Sequence, residues 1–229
     1  TGSYNSAFGS ESLSNNTTGS SNVAIGDLAL SSNSTGHSNT SIGVFAGNGQ
    51  TTGVECTFLG YNTDGTAGTY NNATAIGYNA NVTASNRVRI GNTAVTQIGG
   101  QVSWSNLSDE RLKKNIAPST LGLEFIQKLR PVTYNFIEGH EGILYTGFIA
   151  QDVEKTLNKL GQEFSGVTKP ENETDFYSIR YAEFVVPLVN AVQEQQIQIE
   201  ELKTQNSNLE KKVNEMQVLL EQLQQLISK

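Results

Sequence analysis

The chain has 229 residues, a formal net charge of −7 and a pI near 4.9. This acidic balance argues against nucleic acid and anionic membrane surfaces as partners, because binding to both relies on clustered Lys and Arg side chains. No apolar run approaches the roughly 20 residues of a bilayer span, so membrane insertion is not expected, and the single cysteine, Cys56, excludes an intrachain disulfide framework.

The charged residues are distributed very unevenly along the chain. Only six of them precede residue 105, in a stretch rich in Gly, Asn, Ser and Thr. Such an abrupt change in composition marks a domain boundary, and the length accommodates two modest domains with an extended segment. We therefore predict β repeats at 1–86, a β neck at 87–107, a small α+β domain at 108–184 and a coiled coil at 185–229.

The first segment contains an internal repeat with a period of 17 residues. An apolar residue followed by glycine marks each unit: Phe8-Gly9, Ile25-Gly26, Ile42-Gly43, Leu59-Gly60 and Ile76-Gly77. Each unit is predicted to form strand, turn, strand and turn. The fixed period argues against disorder, and one unit buries too little apolar surface to fold alone. Stacked repeats in an elongated β-solenoid or fibre are therefore expected.

These repeats resemble the heads of trimeric autotransporter adhesins and the shafts of phage tail fibres, which are homotrimeric β structures. From this likeness comes the hypothesis that the repeats bind a host-surface glycan or protein receptor. After Ile76-Gly77 the spacing shortens to 14 residues, at Ile90-Gly91. Apolar residues at positions 88 to 102 predict the short β neck, and Trp104 is expected to plug the core at the domain junction.

The region after residue 108 has the pattern of a small mixed domain. An apolar stripe from Leu121 to Leu129 predicts a helix that ends before Pro131. Strands are predicted at 132–136 and 143–149, across a turn at 139–142, and a helix is predicted at 151–160. A loop at 164–176 and a short strand at 176–181 complete the domain.

A heptad pattern runs unbroken from Val185 to the end of the chain. The a positions are Val185, Val192, Ile199, Asn206, Val213, Leu220 and Ile227, and the d positions are Leu188, Gln195, Leu202, Leu209, Met216 and Leu223. An apolar stripe with this spacing requires partner helices. The two polar exceptions, Gln195 and Asn206, are expected to penalise misaligned registers. An Asn at an a position favours dimers, so the coiled coil does not determine the number of chains. We predict three chains because the repeats resemble those of trimeric fibres.

Four motifs carry a more specific resemblance. They are Ser108-Asp109-Glu110-Arg111-Leu112-Lys113-Lys114-Asn115-Ile116, Arg130-Pro131-Val132-Thr133-Tyr134, Gly147-Phe148-Ile149-Ala150-Gln151-Asp152-Val153, and Tyr181 to Leu188 leading into a helix. Together they resemble the intramolecular chaperone domain of endosialidase tailspikes, over residues 108–229. Such domains lie at the C-termini of phage tail fibres and related trimeric proteins, help three chains assemble and then cleave themselves off.

The resemblance implies autoproteolysis between Leu107 and Ser108, with Ser108 as nucleophile and Lys113 as its base, and we include Asp109 in the catalytic set. The Ser108 hydroxyl is next to the Leu107 carbonyl, so attack needs alignment but no substrate capture. A lysine accepts the proton only if desolvation or a nearby cation favours its neutral form. Residues five apart do not face each other on a regular helix. Either Ser108 precedes the helix, or the lysine comes from another subunit.

A purely structural interpretation of Ser108 is a helix N-cap followed by acidic residues in the first turn. Our leading hypothesis is a self-cleaving trimerisation chaperone of a β fibre, on a virion as a phage tail fibre or on a bacterial cell surface. The alternative is a non-cleaving trimerisation and host-adhesion module. His37 and His140 are isolated and no phosphate-binding Gly loop is present, so neither a metal nor another cofactor is expected.

Overall fold

A computed structural model describes residues 2–138 and 140–227. Thr1, Gly139, Ser228 and Lys229 lie outside the described residues, and so do the parts of the predicted turn and coiled coil that fall on them. The chain divides into two compact units. Unit 1 comprises residues 1–105, 133–146 and 169–177, and unit 2 comprises residues 106–132, 147–168 and 178–229.

The N-terminal part of unit 1 is a β-solenoid of about five turns, which confirms the predicted solenoid. Six strands form one parallel sheet in the order β1-β2-β3-β4-β6-β8. The strands are β1 Ser6–Phe8, β2 Val23–Ile25, β3 Thr40–Ile42, β4 Thr57–Leu59, β6 Thr74–Ile76 and β8 Val88–Ile90. Strands β1 to β4 each pair with the residues 17 positions later, so the sequence period is the sheet register, and β6 pairs with β8 at the shorter spacing of 14.

In β2, β3, β4 and β6, only the middle residue of the strand points into the solenoid, whereas all three residues of β1 and of β8 are exposed. Ala24, Ser41, Phe58 and Ala75 are fully buried, whereas the flanking Ile25 is exposed. Val23 and Ile25 do share a face, as period two requires, but that face is the outer one. A second strand per repeat forms only late in the solenoid, where β5 Asp64–Gly65 pairs with β7 Asn81–Val82. The other repeats use turns in its place.

Two ladders of identical residues hold successive turns together. The first ladder consists of the glycines that follow the strands, Gly9, Gly26, Gly43 and Gly60, which adopt φ between 130° and 134°. In the second, each asparagine side chain accepts from the backbone of the next repeat: Asn22 Oδ1 binds Asn39 N at 3.0 Å, and Asn39 Oδ1 binds Cys56 N at 2.9 Å. Buried backbone donors are thereby satisfied without apolar bulk.

Beyond β8 the structure differs from the expected β neck. Val88–Ile90 is the last strand of the solenoid sheet, and the described residues 91–107 contain no strand. Trp104 is 85% exposed and plugs no core within the described chain. Unit 1 also includes residues 133–146, most of the hairpin formed by β9 Val132–Tyr134 and β10 Tyr145–Gly147. Both strands fall within the predicted ones.

Unit 2 contains three helices around one apolar core. They are α1 Leu123–Lys128, α2 Ala150–Leu160 and α3 Val185–Ile227, with a 3₁₀ turn at Tyr181–Phe184 before α3. A two-stranded antiparallel pair, β11 Val167–Thr168 and β12 Ser178–Ile179, places a strand where a loop was predicted. The core is formed by Leu121, Phe125, Val153, Leu157 and Phe184. Gly161 ends α2 with φ 64°, as its position after the predicted helix requires.

Helix α3 spans 43 residues and covers the predicted heptad segment. Its first turns pack inside unit 2, where Pro187 and Ala191 are buried. All described a and d positions are exposed in the single chain. The helix is therefore confirmed, whereas pairing with other helices stays a prediction. Within residues 2–138 and 140–227, no helix combines the length and the apolar character required to cross a bilayer.

The start of α1 depends on a side chain that comes from α3. Its N-cap residue, Gly122, has no side chain, and Glu194 Oε2 accepts from Leu123 N at 2.9 Å instead. A Cβ at position 122 would lie 2.0 Å from Glu194 Oε1, so the glycine makes room for this carboxylate. The contact fastens α1 to α3 through the helix N-terminus.

We expect Glu194→Ala to lower the free energy of unfolding by about 1–2 kcal/mol, the usual cost of losing a helix cap. Glu194→Gln retains an acceptor oxygen and should cost less. Urea unfolding followed by circular dichroism measures both. The exposed neighbour Gln193→Ala is the matched control, and a Glu194→Ala midpoint equal to this control's would contradict the capping role.

Candidate functional site

Ser108 and Lys113 meet within one chain. Lys113 Nζ lies 2.8 Å from Ser108 Oγ, within hydrogen-bond reach. A serine hydroxyl and a lysine amine at this distance are the two groups that a Ser-Lys nucleophilic pair requires. The bond that would be cut, between Leu107 and Ser108, adjoins this hydroxyl.

A short turn explains how residues five apart come together. Glu110–Leu112 form a single 3₁₀ turn, and Lys113 follows it with extended backbone at φ −112° and ψ 148°. The Lys113 N–H donates to Glu110 O at 2.9 Å, which closes the turn. Ser108 precedes the helix, so the first of the two expected routes is the one found here. No second subunit is needed for the contact itself.

Asp109, the third member of the predicted catalytic set, bonds to Arg111. It is the N-cap residue: its Oδ1 accepts from Arg111 N at 2.9 Å, and its Oδ2 lies 2.6 Å from Arg111 Nη2. The hydrogen bond from the Arg111 side chain, followed by that from its backbone, lowers the pKa of Asp109. The N-cap interpretation therefore applies to Asp109 and not to Ser108. Asp109 shapes the turn that carries the pair.

The pair lies on the surface of the single chain. Ser108 and Lys113 are exposed, and Leu107 is 90% exposed. Two further apolar residues of the same segment, Leu112 and Ile116, are also largely exposed. Within the single chain, therefore, the pair is open to solvent and nothing buries the Lys113 side chain.

The other motifs that carry the resemblance pack together in unit 2. Arg130 Nε donates to Asp152 Oδ2 at 3.0 Å, joining the second and third motifs. Phe148 stacks on Phe184 with ring centroids 5.4 Å apart, and its N–H donates to Tyr181 Oη at 3.1 Å. The third and fourth motifs are thus joined as well. Sequence reasoning gave these residues no role, and the structure gives them a structural one.

The described residues form no group of three or more His, Cys, Asp and Glu side chains that could hold a metal ion. His37 lies within bonding distance of Ser38, at 3.3 Å, and His140 Nδ1 lies 2.8 Å from Tyr145 Oη. Cys56 is buried, and this burial raises the pKa of its thiol, which makes it a poor nucleophile.

Comparison with known families identifies the segment that carries the pair. Residues 108–162 match the family model described as chaperone of endosialidase. The match begins at Ser108, the residue whose hydroxyl contacts Lys113. No curated protein and no solved structure matches the chain. The family match supports a chaperone role for the C-terminal part, which follows a β-solenoid.

Proposed function

We propose that residues 108–229 assemble three copies of this chain, align their β-solenoids and then release themselves from the covalent chain by autoproteolysis between Leu107 and Ser108. The observation that carries this proposal is the 2.8 Å contact between Ser108 Oγ and Lys113 Nζ. It lies at the first residue of the segment that is similar to the endosialidase chaperone. Such a protein would belong to a phage tail fibre or a bacterial surface fibre that attaches to a host glycan or protein receptor.

The chemistry is an acyl shift followed by hydrolysis. Neutral Lys113 Nζ takes the proton of Ser108 Oγ, and the oxygen attacks the carbonyl carbon of Leu107. The Leu107–Ser108 C–N bond breaks, and the proton goes to the departing nitrogen, which becomes the α-amino group of Ser108. The Leu107 acyl group is then an ester on Ser108 Oγ, and water hydrolyses it to a carboxylate and a free hydroxyl. Each chain reacts once.

Assembly supplies what the exposed pair lacks. Leu107, Leu112 and Ile116 present apolar surface beside the pair, and covering that surface with neighbouring copies would take the lysine out of water. Desolvation disfavours the charged ammonium and so favours the neutral base. Cleavage would therefore follow trimerisation, since the pair is open to solvent in a lone chain.

The seam of α3 supports association through this helix. Its apolar a and d side chains, including Leu202, Leu209 and Val213, are exposed in the single chain. Toward the C-terminus, Leu219 and Leu226 at g positions widen the apolar stripe, and both are exposed. A stripe wider than a and d alone is better covered by two partner helices than by one.

A second apolar stripe supports association along the solenoid. The outer strand residues Phe8, Ile25, Ile42, Leu59, Ile76 and Ile90 lie one above another in the register of the sheet. All but the half-buried Ile76 are 38–78% exposed. An exposed apolar stripe of this kind is characteristic of an interface. The helix contacts are local and can form first, holding the chains at effective concentrations of order millimolar. The slower non-local β contacts then form in register.

The direct test is to purify the expressed chain and analyse its fragments. Denaturing electrophoresis should show two bands near half size, and N-terminal sequencing of the C-terminal fragment, residues 108–229, should begin at Ser108. Mass spectrometry should give a C-terminal acid on Leu107. A single full-length species in a folded trimer would leave the non-cleaving trimerisation and adhesion module as the function.

Disrupting the helix seam should abolish both trimerisation and cleavage. Leu209→Lys places a charge at a d position, and we expect sedimentation to show monomers and electrophoresis to show uncut chain. The adjacent c-position variant Asn208→Lys adds the same charge outside the seam and should behave as wild type. A Leu209→Lys chain that is monomeric yet cleaved at the wild-type rate would show that assembly does not control the reaction.

A further inference from the structure

The end of the solenoid is bound by a segment from the far side of the proposed cleavage site. Residues 169–177 follow Ser108 in sequence, yet they belong to the same compact unit as residues 1–105. Arg87 in the last solenoid turn is one of only two basic residues in the first 104 positions. Its guanidinium forms hydrogen bonds with Asp175 and Glu171 of the 169–177 segment.

Asp175 is the centre of these contacts. Its carboxylate accepts from Arg87 Nη1 at 2.5 Å and from Arg87 Nη2 at 2.6 Å, in the two-pronged geometry that suits a guanidinium. Thr83 Oγ1 also donates to it at 2.8 Å, and the Glu171 N–H donates at 3.0 Å. The Asp175 side chain is only 2% exposed. A buried carboxylate with this set of donors is stable only while Arg87 remains beside it.

Neighbouring side chains extend the contact on both sides. Asn172 Nδ2 donates to Thr83 O at 2.8 Å, and Thr174 Oγ1 lies 3.1 Å from Thr66 Oγ1. Glu171 adds a weaker ion pair to Arg87 at 3.4 Å and is 59% exposed. The loop thus binds two successive turns of the solenoid through backbone and side-chain atoms alike.

We infer that the 169–177 loop keeps the C-terminal fragment bound to the solenoid after the backbone is cut, with the Arg87–Asp175 pair as the latch. This inference rests on the proposed function, because the cut at Leu107–Ser108 places Arg87 and Asp175 on different polypeptides. None of the contacts of the pair involves the cut bond. Cleavage therefore removes the covalent link but leaves the non-covalent one.

The charge state of the latch determines the pH at which it opens. Burial raises the pKa of Asp175, but the hydrogen bonds from Arg87, Glu171 N and Thr83 outweigh it and lower the pKa to about 2. A carboxylate whose pKa is lowered by folding stabilises the folded state at pH values above its unfolded pKa, near 3.9. This stabilisation is lost as the pH falls toward the folded pKa. Arg87 stays charged throughout, and the exposed Glu171 is its only other acidic partner among the described ion pairs. Fragments should stay together at pH 5 and separate as the pH falls from about 4 to about 2.

The test cuts the chain independently of its own chemistry. A recognition sequence for a site-specific protease is inserted after Leu107 in a Ser108→Ala background that carries an N-terminal affinity tag. The chain is folded, cut and captured by the tag, and the retained C-terminal fragment is measured after dilution. This readout does not depend on autoproteolysis, so failure of the proposed autoproteolysis would not affect it.

We expect the parent chain and Glu171→Gln to retain the fragment, and Asp175→Asn to weaken its binding by about 100-fold or more, because removing one member of a buried ion pair leaves the other uncompensated. Glu171→Gln is the matched control, since it alters a partner of Arg87 on the same loop. Arg87→Lys keeps the charge but loses the two-pronged geometry, so it should weaken binding to a smaller extent. If Asp175→Asn fails to fold, Arg87→Lys still tests the inference. Immediate loss of the parent fragment, or wild-type retention by both Asp175→Asn and Arg87→Lys, would overturn the inference.

Discussion

Ser108→Ala is expected to abolish autoproteolysis, leaving only full-length chain on denaturing gels. The substitution removes the oxygen that would attack Leu107, and Lys113 has no other hydroxyl at that position to activate. Lys113→Ala should retain the nucleophile but lose its base, which slows cleavage by about 100-fold or more. A time course of refolded protein, quantified from the two bands, measures both rates.

Controls for this experiment lie in the same segment. Ser105→Ala and Lys114→Ala remove a hydroxyl and an amine close to the pair in sequence, and both should cleave at the wild-type rate. Asp109→Asn should have a modest effect, because Asp109 bonds to Arg111 and acts on the pair only through the turn. Cleavage of Ser108→Ala at the Leu107 bond would eliminate the proposed mechanism, whatever the other variants show.

Gly43→Ala is expected to destabilise the solenoid by about 3 kcal/mol or more. Gly43 has φ 133°, a conformation that costs a residue with a side chain about 1–3 kcal/mol. The added Cβ would also lie 2.3 Å from the carbonyl oxygen of Gly60 in the next turn. Because that atom belongs to the backbone of a paired strand, the two turns must separate. Thermal unfolding followed by circular dichroism measures the loss.

Gly142→Ala is the matched control for backbone strain. Gly142 has φ 76°, and nothing lies within 4 Å of the position that its Cβ would occupy. It should therefore show the conformational cost without the steric contact, about 1 kcal/mol. If Gly43→Ala and Gly142→Ala lower the midpoint equally, close packing between turns is not what the glycine ladder provides.

The features that could be predicted from sequence are those with a local or periodic cause. The 17-residue period is the register of parallel pairing, as at Val23 and Thr40. The ends of α1 and α2 follow from Pro131 and Gly161, whose backbone preferences act at single positions. The long heptad segment produced the correct helix for the same reason, since every turn repeats the pattern.

The direction in which the strand side chains face could not be predicted. Ala24 points inward and Ile25 outward, although isoleucine is the more hydrophobic residue. The interior between turns is narrow and accepts small residues at most positions, while strands of three residues offer too little alternation to show which face is buried. If neighbouring chains cover the outer face, as proposed, Ile25 would be buried there. A single sequence does not reveal such a partner.

The candidate site was predictable in composition but only partly in geometry. The spacing of Ser108 and Lys113 excluded a shared face on a regular helix. The structure brings them together across a 3₁₀ turn instead. The capping residue proved to be Asp109, one position after the expected Ser108, because a one-residue shift in a helix boundary leaves the composition unchanged. The Arg87–Asp175 pair had no signal at all. Its members lie 88 residues apart, and no local pattern reports such a contact.

In-register pairing of successive turns lets the β-solenoid change its length in steps of one repeat. Duplicating or deleting one 17-residue unit would keep equivalent positions opposite each other, as Asn22 and Asn39 are now. An insertion of any other size would place mismatched residues against each other and turn inner side chains outward. Recombination within the gene can therefore lengthen or shorten the solenoid by whole repeats without disturbing the pairing of the remaining turns.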